Sequence, residues 1–121
     1  MKNKWLWTGF VSGAMVVALG AMGAHALKNV LTPYGHEIYA KAVLYQMFHV
    51  VGLLAVGILQ QINKSKKTEL AGWLFASGTM LFSGSLYLLA VTGFTWLGMV
   101  TPFGGICFIG GWIWLAFNYE K

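Results

Sequence analysis

The chain has 121 residues and a net charge of +5 at pH 7, with 58% hydrophobic residues and 9% charged, against about 25% charged in an ordinary soluble domain. Eight lysines and three glutamates cannot cover a water-soluble fold of this length, which excludes one and leaves a single membrane domain, residues 1–121, as the expected organisation. The lysines sit at the ends of apolar stretches rather than along one face, so the positive charge points to membrane topology and not to nucleic acid.

The charges fall at Lys2 and Lys4, at Lys28, Glu37 and Lys41, at Lys64, Lys66, Lys67 and Glu69, and at Glu120 and Lys121. The uncharged stretches between them are about 20 residues long, the length a helix needs to cross the hydrocarbon core. Four spans are expected, roughly 5–27, 40–62, 70–92 and 97–118, packed as an all-α, antiparallel four-helix bundle.

Span one begins like a signal peptide, with Lys2 and Lys4, an apolar run and the small-x-small triplet Ala24-His25-Ala26. The run is longer than a usual signal core, so a retained span is expected. Its Gly9, Gly13, Gly20 and Ala24 fall close to one helical face, where small side chains let backbones approach. That face is expected to pack within the bundle, with Gly13 and Gly20 at a close helix contact, and secondarily to offer a homo-oligomer surface.

The linker Asn29–Tyr39 carries Pro33 and Gly35 and reads as a surface turn with a brief interfacial helix leading into span two. Lys64, Lys66 and Lys67 lie in a short polar loop before span three, whose Gly72, Ala76 and Ser83 repeat the small-residue device. Gly93–Trp96 reads as a tight uncharged turn, and Pro102-Phe103-Gly104-Gly105 as a candidate break near the start of span four. Cys107, the single cysteine, allows no intrachain disulfide or cysteine-based metal site and reads as a core residue.

With both termini and the Lys64–Lys67 loop on one side, that side collects six lysines and the other only Lys28 and Lys41. Both termini are therefore expected in the cytoplasm, with the protein in the cell (inner or plasma) membrane. Trp5, Trp7, Trp73, Trp114 and Tyr119 then lie at the inner interface, and Tyr34, Tyr39 and Trp96 at the outer one.

Polar groups at membrane depth are the natural candidates for function, because unsatisfied ones are costly there. His25 lies near the outer end of span one. Tyr45, Gln46 and His49 lie in the outer half of span two at spacings that share a face. Ser83 and Ser85 lie from the middle outward in span three, near Tyr87, and Thr101 opens span four. His25, Tyr45, Gln46, His49, Ser83 and Ser85 are expected to form one outward-opening polar or ligand site. The competing reading is structural: the serines bond back to helix carbonyls and His49 to a neighbouring side chain.

Four segments carry a family resemblance: Gly20-Ala21-Met22-Gly23-Ala24-His25-Ala26-Leu27, Tyr45-Gln46-Met47-Phe48-His49, Leu81-Phe82-Ser83-Gly84-Ser85-Leu86-Tyr87 and Thr101-Pro102-Phe103-Gly104-Gly105. In this order and spacing the chain resembles the YgdD/YwdK-like family of small bacterial membrane proteins, a domain of unknown function with relatives in eukaryotes. The resemblance implies a four-helix inner-membrane protein. It implies no activity and no site residue.

Three functional classes remain on sequence grounds. The first is a structural or interaction protein that stabilises the membrane or an envelope complex, in contact with lipids and a membrane-protein partner. The second is a binder of lipid or a hydrophobic cofactor, with quinone or haem possible though no cofactor is required. The third is a small-solute transporter or channel formed by an oligomer. Ser83 and Ser85 have no adjacent general base and there is no acid pair, so no enzyme, catalytic residue or metal site is expected.

Overall fold

In the computed structural model, which describes residues 3–120, every span begins on a side chain suited to the task or on a proline. Asn3 accepts from the N–H groups of Trp5 and Leu6 and so opens α1 (Lys4–Ala24). Thr32 accepts from Gly35 N–H at 2.9 Å, and Pro33 follows at the first turn of α2 (Pro33–Ile62). Ser65 caps α3 (Lys66–Gly78). A π-helical segment (Thr79–Gly84) joins α3 to α4 (Ser85–Thr92), so the third span runs unbroken from Lys66 to Thr92. Gly93, at φ 75°, ends it in the left-handed conformation that glycine adopts without a Cβ penalty. A short 3-10 turn (Thr95–Met99) then leads into α5 (Thr101–Asn118).

These elements form an antiparallel bundle of four spans with no strand among the described residues. The helix leading into span two is continuous with it: α2 starts at Pro33 rather than near Ala40 and has 30 residues. At 1.5 Å per residue this is about 45 Å, longer than a hydrocarbon core of about 30 Å. Its ends therefore reach headgroup depth. Pro102 sits in the first turn of α5 and starts that helix instead of breaking it. The irregularity lies opposite, in the π segment, which the sequence reading did not anticipate.

α2 is the central helix, lying against α1, α3, the π segment and α4, while α5 covers α3. Two clusters form the core. One gathers Ile38, Tyr39, Ala42, Leu86, Leu89 and Leu97, the other Trp5, Leu53, Val56, Ala71, Phe75 and Leu115. Large apolar side chains such as Phe10, Val17, Met80, Ile106 and Phe117 point outward. In water that surface would be untenable, and in lipid it is the expected exterior.

Asn3 Nδ2 donates to the carbonyl of Gly57 at 2.9 Å and to Gln61 Oε1 at 2.8 Å. Lys4 pairs with Glu69 at 3.0 Å, and Trp114 Nε1 donates to the Lys67 carbonyl at 2.7 Å. The start of α1, the α2–α3 connection and the end of α5 thus share one end of the bundle. Lys4, Lys64, Lys66 and Lys67 are there, while Lys28 and Lys41 are at the other end. Lys2 and Lys121, which complete the expected six, lie outside the described residues.

The small-residue seam between α1 and α2 is present, but its tightest points are not Gly13 and Gly20. A Cβ on either would meet Val50 or Val43 at an ordinary 3.6 or 3.7 Å. A Cβ on Gly9 would lie 2.6 Å from Leu54, and one on Gly57 2.9 Å from the backbone nitrogen of Leu6. In the third span Gly72 accommodates the Trp5 ring, which a Cβ would approach to 2.5 Å. At Gly104 of α5 a Cβ would run into the backbone nitrogen of Phe82, so the π segment is held against bare backbone.

Candidate functional site

The buried face of α2 repeats at three- and four-residue steps through Ala42, Gln46, His49, Leu53 and Val56. This places Gln46 and His49 inside the bundle, 3% exposed each. His49 Nδ1 donates to the carbonyl of Tyr45, one turn back, at 2.7 Å. Its Nε2 accepts the indole N–H of Trp112 from α5 at 3.0 Å. A carbonyl only accepts and an indole N–H only donates, so these partners assign the proton to Nδ1. The ring stacks on Phe108 with centroids 3.4 Å apart and planes 8° from parallel, with Phe75 and Phe48 around it. Both nitrogens are occupied and both faces lie among aromatics.

Gln46 works on the opposite neighbours. Its Nε2 donates to Ser12 Oγ at 3.1 Å on α1, and its Oε1 accepts the Tyr87 hydroxyl at 2.7 Å from α4. The Tyr87 ring meets Tyr39 edge-on at 5.1 Å, and the Tyr39 hydroxyl donates to the Leu19 carbonyl of α1. One glutamine therefore ties three helices together.

The serines act at the π segment. Ser83, fully buried, donates to the Ala42 carbonyl of α2 at 2.8 Å. Ser85 hydrogen-bonds Thr101 of the fourth span and also donates to the Phe82 carbonyl at 2.9 Å. Thr79 donates to the Phe75 carbonyl. Hydroxyls thus reach backbone acceptors on both flanks of the π turn, where regular helical bonding is interrupted.

The six residues named from sequence are placed as follows. Gln46, His49, Ser83 and Ser85 are buried in the same stretch of the bundle, each with its own partner, and the one bond within the six runs from His49 to the backbone carbonyl of Tyr45. Tyr45 is exposed, its ring 4.7 Å from that of Phe82. His25 is exposed at the C-terminal end of α1. Sequence reasoning missed the roles of Ser12 and Trp112. Ser12 falls between Gly9 and Gly13 on the small-residue seam, which could have marked it as inward-facing. Trp112 follows Phe108 by one turn, the spacing that brings both rings to His49. Among the described residues no three His, Cys, Asp or Glu side chains are grouped to hold a metal ion.

Two clefts flank this core. One of about 280 Å³ lies between α1 and α2 and is lined by Gly20, Gly23, His36, Tyr39 and Val43. The other, about 450 Å³, opens at the lysine-rich end.

Compared with known proteins, residues 19–105 match the family model described as "Protein of unknown function (DUF423)". A UPF0382 membrane protein of Staphylococcus saprophyticus is 44% identical over 93% of both chains. The UPF0382 membrane protein YwdK of Bacillus subtilis is 39% identical over 89% of both. A UPF0382 membrane protein of Haemophilus influenzae is 41% identical over 100% of this chain and 97% of its own. No solved structure matches the chain. With four apolar spans in the bundle and a family match over most of its length, the chain is an integral membrane protein that belongs to the DUF423, or UPF0382, family.

Proposed function

We propose that the protein is a non-enzymatic structural or interaction protein of the cell membrane, inserted with both termini in the cytoplasm. One observation carries the reading. Ser12, Gln46, His49, Thr68, Ser83 and Ser85, the buried polar side chains, each hydrogen-bond to a different helix. That arrangement fixes the bundle, and every one of these side chains already serves a contact between helices. The outward apolar faces remain for lipid and for other membrane proteins. Lys4, Lys64, Lys66 and Lys67 at one end against Lys28 and Lys41 at the other support the orientation.

Photo-crosslinking residues placed at Phe10 and Ile106 in intact membranes test the role. Discrete protein adducts are expected, and adducts to lipid alone at every position would remove the interaction reading. The orientation is tested by Lys66→Cys, which should resist an impermeant thiol reagent added outside intact cells.

The α1–α2 cleft favours one second reading, a hydrophobic cofactor such as a quinone held laterally near His36. His36 Nε2 donates to the Lys28 carbonyl at 2.8 Å, leaving Nδ1 to accept from the hydroxyl of a reduced quinol. Haem has less support, since iron at His49 would displace either Tyr45 or Trp112. Solvent extraction and an absorbance spectrum of the purified protein separate these ligands.

A further inference from the structure

The cleft of about 450 Å³ at the lysine-rich end lies between the start of α1, the last turn of α2 and the first turn of α3. Three spans end there, which places it at headgroup depth rather than in hydrocarbon. Its wall is polar, and most of that polarity is already engaged. Asn3 is bonded through both side-chain atoms, and Lys4 neutralises Glu69 at 3.0 Å. Three groups are left over. Lys64 has no ion-pair partner among the described residues. Gln61 accepts from Asn3 through Oε1, which leaves its amide N–H₂ to donate. Trp5, also in the wall, carries the one buried side-chain nitrogen or oxygen without a hydrogen-bond partner among the described residues. Elsewhere the bundle satisfies its buried polar side chains, so this end is where capacity remains.

We propose that this cleft binds the phosphate of an anionic phospholipid, with Lys64 as its cation and Gln61 as an amide donor. An ammonium group beside an amide N–H₂ suits the oxygens of a phosphodiester. The lipid is favoured over a soluble phosphate because the wall adjoins lipid-facing apolar surface, at Leu70 and Trp73, on which acyl chains can lie. In the orientation proposed above, the lysine-rich end faces the leaflet in which anionic headgroups attract juxtamembrane lysines. The inference deepens the interaction reading above by naming a lipid partner.

The test uses the full chain purified in nonionic detergent, offered equal amounts of phosphatidylglycerol and phosphatidylcholine, with retained lipid read by native mass spectrometry. Preferential retention of phosphatidylglycerol is expected. Lys64→Gln should weaken that binding about fivefold, and Gln61→Leu should weaken it less. Lys28→Gln, at the opposite end, should leave it unchanged. Equal retention of the two lipids, or no change in Lys64→Gln, overturns the proposal. Inorganic phosphate in excess should neither displace the lipid nor raise the thermal midpoint; if it does both, the ligand is a soluble phosphate and the lipid assignment falls. Retention in detergent depends on neither crosslinked partners nor insertion, so this failure is distinguishable from failure of the broader reading.

Discussion

Trp112 donates its indole N–H to Nε2 of His49 at 3.0 Å, joining α5 to α2. Measured hydrogen bonds between membrane helices average about 0.6 kcal/mol and reach about 1.7. A double-mutant cycle of Trp112→Phe and His49→Leu, followed by unfolding in detergent, should return a coupling in that range. Additive effects would show that the contact holds nothing.

Gln46 and Ser83 should differ sharply although both are buried. Ser83→Ala removes a donor from the Ala42 carbonyl, which keeps its bond within α2. The loss should be about 0.6 kcal/mol. Gln46→Leu strands the Tyr87 hydroxyl and the partner groups of Ser12. Unsatisfied buried groups cost about 1–3 kcal/mol. The thermal midpoint should therefore fall further in Gln46→Leu, and the reverse order would contradict the network.

Glycines in the α1–α2 seam should respond with opposite signs. Gly20→Ala places its Cβ at an ordinary 3.7 Å from Val43, and alanine favours a helix interior by about 0.5–1 kcal/mol. Stability should hold or rise. Gly57→Ala drives a Cβ against the backbone of Leu6 and should lower it by about 1–3 kcal/mol. Matching shifts in a thermal melt would mean the helices are further apart than described.

Gly104→Ala should be the most damaging small substitution in α5, because its Cβ meets the backbone of Phe82 and not a movable side-chain tip. Gly110 has open space around the same atom, so Gly110→Ala serves as the control. A melt in which the two behave alike would put the π segment away from α5.

The ion pair of Lys4 and Glu69 is half-exposed, with side-chain exposures of 53% and 32%. Glu69→Gln should change stability by less than about 1 kcal/mol, and by less still in high salt. A larger loss, insensitive to salt, would indicate a more enclosed pair.

The sequence alone determined that the chain crosses a membrane four times, because about 20 uncharged residues in a row have few stable alternatives. It also marked Gln46, His49, Ser83 and Ser85 as polar residues at depth, since composition suffices to reveal that. It put the start of span two near Ala40, whereas the helix itself begins at Pro33; Glu37 and Lys41 extend from a helix longer than the hydrocarbon is thick. Only the tertiary structure decided the partners. Whether His49 meets Ser83, a ligand or Trp112 depends on the rotation of α5 about its axis, which residue spacing within α2 does not encode. The π turn likewise arises where Gly104 lets two backbones touch, a relation between spans that are separate in sequence. Periodicity specifies which face of a helix is buried, whereas packing against neighbours specifies what that face touches.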